Sequence, residues 1–411
     1  MCIRDSEYSF SSVTIVTPHN VERNGEIKIS GGRISDFSKS KVKDYPLGPS
    51  FIVFPAIFNA HDHLFGTYYP KIGKGPYICW LPWDYDLKNS EIYLERNKNS
   101  PFDLYLIGAY KNLISGVTTV HDHIPHKVNE PYIDKLPIRV LREYALSHEA
   151  SSYDLKWGDG IDVEYQKAVQ KDIPYVTHIE EGFDEESLRG VDILFEHKAL
   201  SDHTVVIHGI GFSEKDIKLI AKNKVNFIWC PGSNMYMFGR TAKIKEILDA
   251  GINTCLGTDS PATGEIHILE EIRFAKKTYH DIYNEEISDE TIVKMVTCNP
   301  AKAFRMLDKI GTIEVNKFAD LLLITGDTNK PHSSLVNAQL KDIALVIMAG
   351  KPLYGNVEFK DLFRDFGSNS HYSKITIEGK EKYVVGDPKS LLEKLRKNVG
   401  FRKELPFLPI Q

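Results

Sequence analysis

Cysteine is scarce: five residues in 411 (Cys2, Cys79, Cys230, Cys255 and Cys298), widely spaced and odd in number. That excludes a disulfide framework, and the absence of any Cys-x-x-Cys pair excludes a thiolate metal knuckle. A reducing, cytoplasmic setting is the expectation. No apolar run approaches the roughly 18 to 20 residues of a membrane helix. Met1 to Ser12 lacks a basic start followed by an apolar block, so no secretory signal is expected. Positive charge is not concentrated either. The chain carries 51 basic against 56 acidic residues, net charge -5, and has no electrostatic footprint for nucleic acid. Internal repeats and low-complexity tracts are also missing.

What remains is an ordinary globular composition, 42% hydrophobic and 26% charged, long enough for one large core and a smaller one. The expected partner is a small-molecule substrate, with neither nucleic acid nor membrane, and homo-oligomerisation is left open. Met1-Cys2-Ile3-Arg4-Asp5-Ser6 fits no later pattern and is excluded from the fold reading, with its being native or a non-native start left open.

Thr14 to Phe37 alternates apolar and polar residues around a Gly31-Gly32 turn, the pattern of a small antiparallel sheet. From Phe51 to about Leu307, short buried runs alternate with amphipathic stretches. The clearest runs are 116–120, 175–177, 205–207, 226–229 and 254–257; Glu214 to Asn223 and Ala242 to Ala250 read as helices. Such alternation predicts parallel βα units, and the segment has roughly the 250 residues of a (β/α)8 TIM barrel. Strand-like alternation returns at 310–325 and 344–356, and helical pattern at Ser390 to Asn398. The expected organisation is therefore α/β: residues 51–310 as the barrel, with 7–50 and 311–411 folding together as one flanking β-rich domain.

Polar residues recur just after the buried runs. Asn59-Ala60-His61-Asp62-His63 follows the first, and in a strand residues i and i+2 share a face. His61 and His63 then point one way and Asp62 the other, which makes half of a tetrahedral site. A His-x-His is weak evidence by itself. Later strands end in His178, His208 and Asp259, and parallel barrel strands all deliver their C-terminal ends to one rim. Four strands bringing metal-capable side chains to one rim form a much sharper signal than any one of them.

These motifs, in this order, resemble the amidohydrolase superfamily, in particular its cytosine deaminase and chlorohydrolase branch. The resemblance runs through Asn59-Ala60-His61-Asp62-His63, Gly116 to Val120, His178-Ile179-Glu180-Glu181 and Val206-Ile207-His208-Gly209. It continues through Cys230-Pro231-Gly232-Ser233-Asn234, Leu256-Gly257-Thr258-Asp259, Thr297 to Ala301 and Ala319-Asp320-Leu321. It implies a β-sandwich built from both chain ends. It also implies one divalent metal on His61, His63, His178 and Asp259, with Glu181 as proton shuttle and His208 facing the reacting group. Glu180 is the competitor for the shuttle role.

Mixed nitrogen and oxygen ligation suits zinc first, with iron or manganese as alternatives. A bound divalent ion lowers the pKa of water to about 7, which supplies hydroxide at neutral pH. Asp259 can take the proton shed on attack, and Glu181 can hand one to a departing amine. His208 can stabilise negative charge developing on the substrate. The expected activity is hydrolysis of a carbon–nitrogen bond, with deamination of a heterocycle leading. Opening of a cyclic amide, as in imidazolonepropionase-like members, is the alternative. A non-catalytic binding protein on the same fold is the contrasting class, disfavoured because every expected position is filled.

Some features sit less easily. A second metal would need a carboxylated lysine, and Lys156, the one candidate, reads better as solvated. The short interval between the Arg139 to Leu146 strand and Tyr175 predicts a short or distorted fourth βα unit. The histidine-rich run His121, His123 and His126 is expected to contribute one substrate contact, with His123 the candidate, and His148 is a weaker candidate on the rim. Tyr68 to Tyr85 is rich in aromatic residues and suits a lid, with Trp83 packing on a substrate ring. Asn234 is the third expected substrate contact.

Overall fold

The computed structural model describes residues 7–17, 20–37, 42–48, 50–367 and 370–410. The segment excluded from the fold reading, residues 1–6, lies outside them.

Eight strands form the barrel: β1 Ile57–Asp62, β2 Val117–Asp122, β3 Arg139–Val140, β4 Ala145–Glu149, β5 Tyr175–Ile179, β6 Thr204–His208, β7 Asn226–Trp229 and β8 Thr254–Leu256. They run parallel in two arcs, β1 to β3 and β4 to β8. The ends of β8 and β1 meet where the Asp259 amide donates to the His61 carbonyl at 3.0 Å. β5 and β6 are buried at every position, which is why they read as unbroken apolar runs and not as alternation.

Helices pack outside the barrel. Glu214–Lys222 starts on a capping box between Ser213 and Asp216, and Ile244–Asp249 follows as its pattern predicts. The irregularity expected in the fourth unit lies one unit earlier. Four residues, 141–144, join β3 to β4 without a helix, whereas Ile161–Lys171 is a full helix between β4 and β5. The stretch Arg139 to Leu146 reads as one strand from Val140, Leu141, Tyr144, Ala145 and Leu146, but Arg142 and Glu143 between them are exposed in the connection.

The chain ends meet in a ten-stranded mixed sheet. Glu7–Val16 pairs with Val21–Ser30, whose alternate residues Gly25, Ile27 and Ile29 face inward. Phe10, Ile27, Leu321, Ile347 and Phe363 lie in its core, under the helix Lys360–Phe366. The two ends join where Phe51–Pro55 runs antiparallel to Leu321–Thr325, Val53 opposite Leu323. Phe51–Pro55 therefore belongs to the flanking sheet, and the barrel starts at Ile57 instead of residue 51. One continuous apolar run serves two sheets, a division that hydrophobicity cannot display. Likewise, strand structure in 310–325 is confined to Leu321–Thr325. The terminal helix Pro388–Val399 packs on the barrel helix Pro101–Ile114, with Lys394 Nζ 2.7 Å from the Asp103 carboxylate.

Candidate active site

Strand alternation decides which side chains of β1 reach the barrel interior. His61 and Asp62 are fully buried on opposite faces, and His63 is partly exposed at the rim. Asp62 points back to an enclosed network. Its carboxylate takes Lys111 Nζ at 2.8 and 3.0 Å and the Asn112 amide at 2.7 Å, and Asn59 adds a longer contact at 3.2 Å. Asn59 also bonds Thr258 at both backbone amide and hydroxyl, tying β1 to the end of β8. Gly257 is required there: a Cβ on it would stand 2.6 Å from the Cβ of His61.

The front face gathers the metal-capable donors. His61 Nε2 is 3.4 Å from His178 Nε2 and 3.8 Å from Asp259 Oδ1, and His63 Nε2 is 3.4 Å from the same oxygen. Two donors each ~2.0–2.1 Å from a tetrahedral zinc stand about 3.4 Å apart, so these separations fit one ion. Burial, reinforced by the neighbouring imidazoles, holds His61 and His178 well below the usual histidine range. They are therefore neutral, the form in which imidazole ligates. The Nδ1 atoms of His61 and His178 are buried without a hydrogen-bond partner.

Asp259 is held at both oxygens. Oδ1 accepts from the Ser260 amide at 2.8 Å, and Oδ2 from the hydroxyls of Ser233 at 2.7 Å and Thr263 at 3.1 Å. Burial pushes its pKa up, but His63, His208 and these donors outweigh burial and keep it below the carboxylate norm. Glu181 shows the opposite balance: burial first, then Asp259 and Glu149, raise its pKa well above normal. Its Oε2 lies 3.7 Å from both His178 Nδ1 and His208 Nε2. The pKa values of two carboxyl groups in one site are thus pushed in opposite directions, the pairing that acid–base chemistry uses.

His208 Nδ1 is 2.9 Å from Asn234 Oδ1, and the Asn234 amide nitrogen donates to Thr241 Oγ1 at 3.1 Å. The oxygen is then an acceptor, so Nδ1 carries the proton and Nε2 presents its lone pair toward Glu181. Glu180, His208 and Asp259, all at strand ends, have positive φ of 47°, 75° and 54°. Non-glycine residues seldom adopt this region, and strained backbone of this kind clusters at functional sites.

A pocket of about 250 Å³ opens on this cluster, lined by His63, His178, Glu181, His208 and Asp259. Its other walls include Trp80, Trp83, Trp157, Tyr69, His148 and Arg96. The helix α1, Trp80–Lys88, carries the first two tryptophans over the site. Trp80 Nε1 donates to Glu149 Oε2 at 2.7 Å, and Trp83 Nε1 to the Ile72 carbonyl at 3.0 Å. A bridge between Cys79 and Gly182 fastens this lid to the rim. His148 lies between the rings of Trp80 and Trp157, at 4.6 and 4.7 Å.

Other expected residues lie elsewhere. His123 is fully buried, with its ring nitrogens 3.2 Å from His178 Nε2 and 3.1 Å from the Ser147 carbonyl, behind the pocket wall. Asn234 is likewise buried behind His208 and outside the lining. His121 and His126 bond the carbonyls of Ala60 and Tyr144. Glu180 accepts from the Val191 amide and faces that helix, not the pocket. Lys156 sits on the surface, its side chain 84% exposed. Sequence reading included Tyr69 in the aromatic lid stretch but passed over Trp157 and Arg96 as pocket residues. Its aromatic ring could have flagged Trp157, while Arg96 gives no local signal, being one basic residue on a polar helix.

Comparison with known proteins agrees with this geometry. The model of the amidohydrolase family matches residues 159–353. A 5-methylthioadenosine/S-adenosylhomocysteine deaminase of Pyrococcus furiosus is 30% identical over 351 residues, 70% of this chain and 78% of that protein. Its namesake from Caldanaerobacter subterraneus subsp. tengcongensis is 35% identical over 170 residues, but that match spans only 38% of this chain and 39% of the relative. Among solved structures, an adenosine deaminase from Xanthomonas campestris with bound zinc superposes with a TM-score of 0.72 at 18% identity, covering 96% of this chain and 97% of that one. That likeness is of fold: a barrel with a flanking β domain. The donor set and the family support one divalent ion in the cluster. The chain belongs to the amidohydrolase family, metal-dependent hydrolases of carbon–nitrogen bonds other than peptide bonds.

Proposed function

We propose that this protein deaminates an amino-substituted nitrogen heterocycle of the purine nucleoside kind, releasing ammonia. The observation that carries this reading is Glu181, a carboxyl whose pKa burial raises, 3.7 Å from His208 and opening on the same pocket as the metal donors. Deamination needs a proton delivered to the ring or the departing amine, and a neutral carboxylic acid at the metal rim is suited to deliver it.

His61, His63, His178 and Asp259 would hold the ion. When bound, it supplies Lewis acidity and lowers the pKa of water toward neutrality. Asp259, charged and fixed by three donors, accepts the proton shed by the attacking water. His208 presents the Nε2 lone pair and orients that water; on taking a proton it becomes a cation beside the developing negative charge. Trp80, Trp83 and Trp157 offer aromatic faces to the ring and keep bulk water from it. The names of the relatives, both deaminases of adenosine derivatives, favour a purine over a cyclic amide. The described cysteines are all free thiols, which supports a reducing, cytoplasmic setting.

The test is ammonia release by zinc-loaded protein from adenosine, 5-methylthioadenosine, guanine and cytosine, with a cyclic amide as the contrasting substrate. Ammonia from a purine supports the reading. Ring opening of the amide with no ammonia from any amine would replace it.

A further inference from the structure

Arg96 ends the short helix α2, Glu91–Arg96, and forms part of the pocket wall while only 9% exposed. Its Nε and Nη2 donate to Asn97 Oδ1 at 3.3 and 2.9 Å. The guanidinium faces the rings of Phe65, Tyr69 and Tyr93, with centroids 4.4, 5.1 and 4.8 Å away. Among the described residues no carboxylate comes within 4.0 Å of it. The neighbouring acids are engaged elsewhere. Glu95 takes Tyr68 and Lys403, both at 2.6 Å, and Asp84 takes Lys88 at 2.6 Å.

Tyr69 lies in the same wall, 3% exposed, and its buried O–H has no acceptor among the described residues. Burial raises its pKa, and the charge of Arg96 and a hydrogen bond from it oppose that rise, so the two groups act on each other. Arginine does not escape burial by losing its proton. Aromatic faces offset part of the cost of a buried cation, yet they give Arg96 no counter-charge and the Tyr69 O–H no acceptor. Donors of this kind, one charged and one neutral, match an oxyanion.

We propose that Arg96 and Tyr69 form an oxyanion subsite, so that the substrate carries a carboxylate or phosphate group in addition to the ring at which reaction occurs. This rests on the reading above only in assigning the ring to the metal end of the pocket. The subsite itself is a binding property and can be tested without turnover.

Tryptophan fluorescence of the zinc-loaded protein is titrated with benzoate, phenyl phosphate and neutral benzyl alcohol, then repeated on metal-free protein. Benzoate or phenyl phosphate should bind about tenfold more tightly than benzyl alcohol, with or without zinc. Whichever anion binds more tightly identifies the group. Arg96→Met should abolish the preference, and Tyr69→Phe, which removes one oxygen and leaves the fold undisturbed, should reduce it severalfold. Equal binding of anion and alcohol by the wild type would overturn the proposal. So would a preference that survives Arg96→Met, or one that vanishes with zinc, which would place the anion on the metal. Failure to release ammonia in the preceding test leaves these outcomes unaffected.

Discussion

The two faces of strand β1 are built from adjacent residues and treated in opposite ways. Behind it, Asp62, Lys111, Asn112, Asn59 and Thr258 form a closed network in which a fully buried ion pair is completed by neutral donors. In front, the His61 Nε2 lone pair lies 3.4 Å from His178 Nε2 and 3.8 Å from Asp259 Oδ1. Unmet hydrogen-bonding capacity is costly inside a protein. Lone pairs gathered on the front face mark where a cation would complete the site, while the satisfied back face holds that site in place.

The contrast breaks most visibly through Glu181→Gln. The amide keeps the size of the side chain but cannot deliver a proton, so kcat should fall by about 10² to 10⁴ while zinc content per chain stays unchanged. Retained activity would move the shuttle to another group. On the back face, Lys111→Met strands the Asp62 carboxylate in the interior. A loss of about 3–5 kcal/mol is expected in denaturant unfolding. Adding Asp62→Asn should recover part of it, and a double variant no better than the single one would show that the pair is not coupled.

Gly257→Ala tests the junction of the two faces. Its methyl would press on His61, costing about 1–3 kcal/mol and weakening zinc affinity in a chelator competition. Unchanged affinity would show that His61 can shift without loss.

A second buried lysine sharpens the lesson at smaller scale. Lys382, in the flanking sheet, donates to the carbonyls of Lys341 at 3.1 Å and Ile343 and lies 5.5 Å from the Tyr354 ring centroid, with no carboxylate within 4.0 Å among the described residues. Burial brings its pKa down to about 8. The unfolded chain, with lysine near ~10.4, binds more protons than the folded one between about pH 8 and 10, so stability rises with pH through that window. Below pH 8 the full burden of the buried charge is present. In Lys382→Met this rise should flatten in thermal melts, and an unaltered slope would refute the assignment.

Much of the site was legible because its chemistry is carried by residue type and strand end. The i and i+2 spacing of His61 and His63 set their shared face, and the buried runs before His178, His208 and Asp259 located those residues at strand termini. The walls of the pocket were harder to read. Trp157 and Arg96 come from segments whose approach to the rim depends on how β4 and α2 pack. His123, expected in contact with substrate, lies behind His178 because β2 is buried along its whole length. The helix missing between β3 and β4 was misplaced by one unit, since two short buried strands and one long one share the same hydrophobic pattern.

The sequence by itself determined the alternation of strands and helices, the pairing of chain ends and the chemical identity of the donors, because periodicity and residue type are local properties. Only the tertiary structure decided that Glu181 and not Glu180 faces the pocket, that Phe51–Pro55 leaves the barrel for the flanking sheet, and that Arg96 enters the wall without a counter-charge. Each of these depends on which distant surface a side chain meets, and that is settled by packing and not by its neighbours in the chain.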